Sequence, residues 1–138
     1  MNGALVKTIR GAAIALMIAG SLLAQHALRA QPSAMLRIDL QRHDLSIAGR
    51  EAVQVRVELE KGAAFPRHSD LGEEMIYLFQ GLLQYQFDGK PPVKLKAGEV
   101  LFVPAGTVDT AKNVGGGTES ELATHIVEKG KPLLTLLE

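Results

Sequence analysis

Between residues 53 and 59 the chain alternates without a break: Val53, Val55, Val57 and Leu59 are apolar, and Gln54, Arg56 and Glu58 between them are polar. A period of two built on β-branched residues predicts a strand with one face buried and the other wet. Upstream, Met35, Leu36, Ile38 and Leu40 predict a first short strand interrupted by Arg37 and Asp39, and Ser46–Arg50, with Gly49, a turn. Phe65-Pro66 forces an extended approach to His68. Met75–Phe79 is apolar at both parities and predicts a strand covered on both sides. Glu74, Ile76, Leu78 and Gln80 share one of its faces; Met75, Tyr77 and Phe79 share the other. Leu83, Tyr85 and Phe87 form the next half-buried strand, Asp88-Gly89 is a hairpin signal, and Pro91-Pro92 confines the return strand to its start or to a sheet edge. Glu99–Val103 comes after the turn at Lys96-Ala97-Gly98. Pro104-Ala105-Gly106 is a tight turn, Gly115–Gly117 a flexible loop, Leu122–Val127 a last strand, and Lys129-Gly130-Lys131-Pro132 releases a tail, Leu133–Leu137. No helical period of useful length occurs after residue 30. Many short strands with turn signals about every eight to twelve residues predict an all-β barrel or sandwich.

The first thirty residues have a different pattern. Lys7 and Arg10 precede Gly11–Ala24, a run without charge, and Leu28-Arg29-Ala30 is a cleavage triplet before Gln31. This predicts a secretory signal peptide over residues 1–30 and a periplasmic or secreted bacterial protein. The run is short of the ~20 residues of a membrane span, so an uncleaved anchor is the alternative. Residues 31–138 then form a single domain. The whole chain has 15 basic and 15 acidic residues. Three of the basic ones fall in the first thirty residues, so the exported part carries a formal charge of −3. No basic cluster points to nucleic acid, and no membrane contact is expected after cleavage. The absence of cysteine excludes disulfides, a thiolate nucleophile and a Cys-based metal site. No Ser-His-Asp pattern, phosphate loop or dinucleotide fingerprint is present.

Candidate chemistry concentrates in Gly62–Gly81, where His68, Asp70, Glu73 and Glu74 lie within seven residues of one another before the apolar strand. Charged groups are rarely buried unless paired or bound to metal; the alternative is a solvated loop. The spacing is specific: Gly62, five residues, His68, one, Asp70, three, Glu74, six, Gly81. A second segment runs Gly98, five residues, Pro104, one, Gly106, two, Asp109, three, Asn113. Together these resemble the paired motifs of the cupin superfamily, small single-domain barrels of the double-stranded β-helix or jelly-roll type. Every spacing is kept, and Asp70 and Asp109 stand where the motifs have histidine.

The resemblance implies an all-β jelly-roll barrel in which His68, Asp70, Glu74 and Asp109 converge on one divalent metal. One histidine with three carboxylates carries a formal charge of −3 and favours Mn²⁺, Mg²⁺ or Ca²⁺ over Zn²⁺ or Ni²⁺. An Asp carboxylate reaches less far than an imidazole by roughly 1 Å, which puts direct bonds from Asp70 and Asp109 in question. The alternative is a metal-free, degenerate cupin in which at least one crowded carboxylate has a raised pKa. Oxygenase chemistry is disfavoured, because Fe(II) oxygenases present two histidines and a carboxylate, and the motifs offer His68 alone. His125 supplies a second imidazole only if it faces inward, and parity does not assign its face. Glu73 is expected to point outward, toward Arg67, and His43 to lie at the surface. Three functions remain open: an exported cupin binding a divalent metal or a small polar ligand, a metal-assisted acid–base enzyme acting on a small carbohydrate or carboxylate, and a metal-free structural protein. Met75, Tyr77 and Phe79 outside the barrel predict a homodimer.

Overall fold

The computed structural model describes residues 34–138, so the expected signal peptide, residues 1–30, lies outside the described residues. The chain forms ten strands: β1 (Met35–Asp44), β2 (Arg50–Leu59), β3 (Ala64–Asp70), β4 (Glu73–Gln80), β5 (Leu82–Phe87), β6 (Val93–Lys96), β7 (Val100–Val103), β8 (Val108–Asn113), β9 (Glu119–Glu128) and β10 (Leu134–Leu136). They form two five-stranded antiparallel sheets, ordered β1-β2-β9-β4-β7 and β10-β3-β8-β5-β6. No helix occurs among the described residues. Each sheet mixes strands from both ends of the domain, the double-stranded β-helix topology.

The alternation of β2 sets the interior. Val53, Val55, Val57 and Leu59 are buried, and their partners on β9 are His125, Ala123, Glu121 and Glu119. One core cluster joins Leu59, Ile76, Leu78 and Val103 of the first sheet to Leu83, Tyr85, Phe87, Leu95 and Ala111 of the second. A smaller one holds Val53, Val55, Ala123, Val127 and Leu133. The glycines that space the two motifs, Gly62, Gly81, Gly98 and Gly106, all have positive φ, where other residues pay a steric penalty. Gly81 also lies against β9: a Cβ there would come 2.8 Å from the Glu119 Cα.

Several sequence expectations change. β1 is ten residues long rather than short. A bulge at Leu40 shifts the register between Asp39 and Gln41, so Arg37 and Asp39 face Val57 and Val55, whereas Arg42 faces Val53. The inward parity therefore switches within the strand, and its apolar pattern does not alternate. β9 begins at Glu119, three residues before Leu122. The tail is not released: Leu134–Leu136 pairs with Ser69 and its neighbours on β3 as an edge strand. The Gly115–Gly117 loop is tied down by the Asn113 side chain, whose amide donates to the Gly117 carbonyl and whose Oδ1 accepts from the Gly115 N–H. Finally, β4 is covered on one face only. Ile76 and Leu78 are buried, but Met75, Tyr77 and Phe79 are 41–51% exposed, because no third layer lies beyond this sheet among the described residues.

Candidate functional site

His68 and Asp70 lie two apart on β3 and therefore share a face. Pro66, just before them, has no N–H to give to the ladder, and the pairing with β8 is irregular between Phe65 and His68. The Pro66 carbonyl accepts a hydrogen bond from His68 Nδ1 at 2.9 Å. A carbonyl can only accept, so Nδ1 carries a proton, and in the neutral ring Nε2 presents its lone pair. The register then sets Asp109 of β8 opposite His68, and the turn before Asp109 is fixed by the Gly106 N–H, which donates to the Asp70 carbonyl at 2.8 Å. From the other sheet, Glu74 of β4 pairs directly with His125 of β9. His68, Asp70, Glu74, Asp109 and His125 are all buried.

Of the four residues expected from sequence, His68, Asp70 and Asp109 come together as one group, and Glu74 joins Asp70 and His125 in a second. His68 Nε2 lies 3.8 Å from Asp70 Oδ2 and 3.9 Å from Asp109 Oδ1. His125, whose face parity leaves open, turns inward: its Nε2 is 3.5 Å from Glu74 Oε1 and its Nδ1 is 3.9 Å from Asp70 Oδ1. The signal that places it is pairing rather than pattern, because it sits opposite Val53. Glu73 is half-buried, and Arg67 pairs with Asp88 instead. His43 is exposed, as expected. Asn113, the last residue of the second motif, is structural. Its amide donates to the Leu59 and Gly117 carbonyls at 2.9 and 2.8 Å, and its Oδ1 accepts from the Gly115 N–H at 2.9 Å.

Both oxygens of Asp70, both of Asp109, and His125 Nδ1 are buried without a hydrogen-bond partner. Buried charged oxygens in this condition are costly unless a cation or a proton meets them. The separations of 3.5–3.9 Å exceed hydrogen-bonding distance. They match two ligands of one ion, each at ~2.0–2.6 Å. Within each of the groups His68/Asp70/Asp109 and Asp70/Glu74/His125 one donor atom per residue lies within 4.8 Å of the others, so by chemistry and by spacing either set fits a divalent cation.

Burial sets the electrostatics. It pushes the Glu74 carboxyl well up, with the charges of Asp70, Glu121 and Asp109 adding to the effect. It raises Asp109 to about 6 against the pull of His68. Asp70 also rises through burial, opposed chiefly by the charge of His68. His125 falls to about 4 through burial, helped by Arg37 and His68, and is neutral near pH 7.

The sequence pattern does not reveal two further acids. Glu121 is buried and accepts a hydrogen bond from the Tyr85 hydroxyl at 2.8 Å. Burial raises it to about 7 against that hydrogen bond. It lines, with His68, Asp70, Glu74 and Tyr85, a cavity of ≈ 30 Å³, room for little more than an ion or a water or two. Glu119 is fully buried and raised to about 8, mainly by burial and then by the Glu121 charge, with the Leu59 amide opposing. A carboxyl that titrates near neutrality beside a donor cluster can hold or release a proton there.

No curated protein matches the sequence. Among solved structures, similarity extends to a conserved protein with a double-stranded β-helix domain from Klebsiella pneumoniae, with 18% identity, TM-score 0.64, and coverage of 80% of this chain and 90% of that one. A cupin-like protein from Thermotoga maritima is 20% identical, with TM-score 0.62 and 75% of each chain covered. An oxalate oxidase solved with the substrate analogue glycolate is 18% identical, with TM-score 0.62, over 78% of this chain and 57% of that one. These likenesses are of fold. The cupin domain model matches residues 55–126, more than half of the chain and nearly all of the strands that build the site; the chain belongs to the cupin family.

Proposed function

We propose that this protein is a cupin that binds a divalent cation or a small polar ligand in the barrel, the cation being the reading the site supports best. His68, Asp70, Glu74 and Asp109 are the ligands expected from the motifs, and His125 adds a second imidazole. The observation that carries this reading is the set of unpartnered buried oxygens of Asp70 and Asp109, facing imidazole nitrogens at 3.8–3.9 Å. Carboxylates suit Mg²⁺, Ca²⁺ and Mn²⁺, whereas imidazole suits later transition metals; Mn²⁺ belongs with the first group and tolerates the second. The inward turn of His125 therefore narrows the preference toward Mn²⁺. A cation held there would act as a Lewis acid toward an oxygen of the bound ligand. The chain's own groups would orient that ligand and exclude water, and Glu121 would hold a proton at the cavity wall. The oxalate oxidase solved with glycolate supports a small carboxylate as the ligand class.

Thermal melting tests the reading. Mn²⁺ at about a hundred times its dissociation constant should stabilise chelator-treated protein by ~2.7 kcal/mol. Asp70→Asn should abolish the shift. No shift with Mn²⁺, Mg²⁺, Ca²⁺, Zn²⁺ or Ni²⁺ would leave the metal-free alternative.

A further inference from the structure

Each sheet has two edges, and three of the four are too short or too guarded to template a further strand. β7 and β10 run for four and three residues. β6 also runs for four, follows Pro91-Pro92 and carries Lys94 and Lys96. β1 is different: it is ten residues long, pairs only with β2 and is exposed along nearly its whole length. A long edge strand presents a row of unpaired backbone N–H and C=O groups to another chain. We propose that β1 pairs antiparallel with β1 of a second copy, in a register centred on Gln41, and joins the two copies' five-stranded sheets into one continuous sheet.

The bulge at Leu40 makes this register possible. Arg37, Asp39, Arg42 and Asp44 sit opposite Val57, Val55, Val53 and Glu51 of β2. Those four partners are buried, so all four charged residues share the inward side of β1. About a two-fold axis a strand pairs with its own copy only between residues of one face. In an unbroken strand Arg37 and Asp44, an odd number of residues apart, would lie on opposite faces. The extra residue at the bulge brings them to the same one.

Charge then selects the register. Along that side the signs alternate, positive at Arg37 and Arg42, negative at Asp39 and Asp44. Centred on Gln41, Arg37 lies opposite the partner's Asp44 and Asp39 opposite the partner's Arg42, and the two-fold axis repeats both pairs. Every one of these charges then meets an opposite one. Centring on Asp39 sets it against the partner's Asp39 and sets Arg37 against the partner's Arg42. Centring on Arg42 sets Asp39 against the partner's Asp44. Like charges directly opposite destabilise a strand pair. Centring on Ile38 or on His43 engages only two of the four. Inward charges and a bulge are devices that keep an edge from pairing at random. In β1 they disfavour the wrong registers and leave one that is fully matched.

The charged groups can reach a partner. The side chains of Asp39 and Asp44 are 81% and 64% exposed. Within the chain Arg37 meets Asp39 at 3.7 Å, Arg42 meets Glu51, and Asp44 meets Lys129. A guanidinium has five N–H donors and a carboxylate two oxygens, so each keeps capacity for a second contact. Leu36 and Ile38 add exposed apolar surface on the outer side, where Ile38 would lie opposite the partner's His43.

The chain has no cysteine, so one introduced thiol reports one contact. In the proposed register Gln41 faces its own copy, and opposite residues of an antiparallel pair have Cα atoms ~4.5–5.5 Å apart, within disulfide range. Leu36 would lie roughly 25 Å from its own copy along the strands. Gln41, Leu36 and Asp39 are all exposed, so substitution there leaves the core intact. Purified Gln41→Cys and Leu36→Cys proteins are oxidised with glutathione disulfide, and the linked dimer is counted by intact mass. Gln41→Cys should convert mostly to linked dimer, and Leu36→Cys should stay mostly unlinked. Adding Asp39→Arg to Gln41→Cys sets like charges opposite each other at Arg42 and should remove most of the link. No link at Gln41, or equal linking at Leu36, overturns the pairing, as does a wild type that sediments as a monomer at every concentration. A link that survives Asp39→Arg undiminished overturns the register.

Discussion

Asn113 shows how a motif residue can serve the site without touching it. Its three hydrogen bonds tie the end of β8 to Leu59 of β2 and to the Gly115–Gly117 loop. Asn113→Ala should destabilise the domain by roughly 2–4 kcal/mol, because two carbonyls and an amide lose their partners in a buried setting. Urea denaturation measures this, and a loss under ~0.5 kcal/mol would contradict the structural role. At the same scale, His68, Asp70, Glu74 and Asp109 are legible in the sequence because motif spacing fixes which residues of neighbouring strands face each other. His125 is not. On β9 both parities are apolar, with Ala123 and Val127 on one face and Leu122 and Ile126 on the other, and only the pairing with β2 decides which turns inward. Glu119 and Glu121 escape notice for a related reason: an acid in a strand normally marks the wet face.

At the scale of the element, β9 is the strand that departs most from expectation. It carries Glu119, Glu121 and His125 on the inward face. These three groups shape the pH dependence of stability. Glu119 and Glu121, raised to about 8 and about 7, bind protons more tightly folded than unfolded, so their contribution is lost as pH rises through those values. His125, lowered to about 4, acts oppositely, adding stability as pH rises from about 4 to 6.5. The raised carboxyls of Asp70, Glu74 and Asp109, which face the same interior, oppose His125 in that lower window. Above about pH 6.5 the histidine no longer contributes, and metal-free protein should lose stability steadily to about pH 8.5. Denaturation at a series of pH values checks this, and Glu119→Gln should flatten the upper part. A profile that stays flat or rises across that interval would contradict the burial of these acids. The barrel class is legible from turn chemistry and from the alternation of β2 and β5. The length of β1 is not, because the bulge at Leu40 reverses its inward parity midway. Nor is the return of the tail as β10, since three residues at an edge leave little periodicity to read.

For the whole molecule, the outer face of the first sheet carries apolar side chains that nothing covers among the described residues. Met75, Tyr77 and Phe79 of β4 adjoin Val100 and Phe102 of β7, and all five are more than 40% exposed. Met75, Tyr77, Val100 and Phe102 border a groove of ≈ 340 Å³ that also meets Leu122 and Thr124 of β9. Burying such side chains stabilises by ~1.5–3 kcal/mol each. We propose that a second copy covers this face, since a two-fold axis sets the same apolar patch of each copy against the other. Tyr77→Glu should shift the protein toward monomer in sedimentation, and a wild type that is monomeric at high concentration would exclude the dimer. Everything proposed for the interior, however, depends on His68, Asp70, Glu74, Asp109 and His125 forming a cation site. Anomalous diffraction at the manganese edge, from crystals grown with Mn²⁺, decides that. Anomalous density inside the barrel, between His68, Asp70 and Asp109, is the expected result. An ordered barrel with no anomalous density among these five side chains, or with manganese bound only elsewhere, would contradict it.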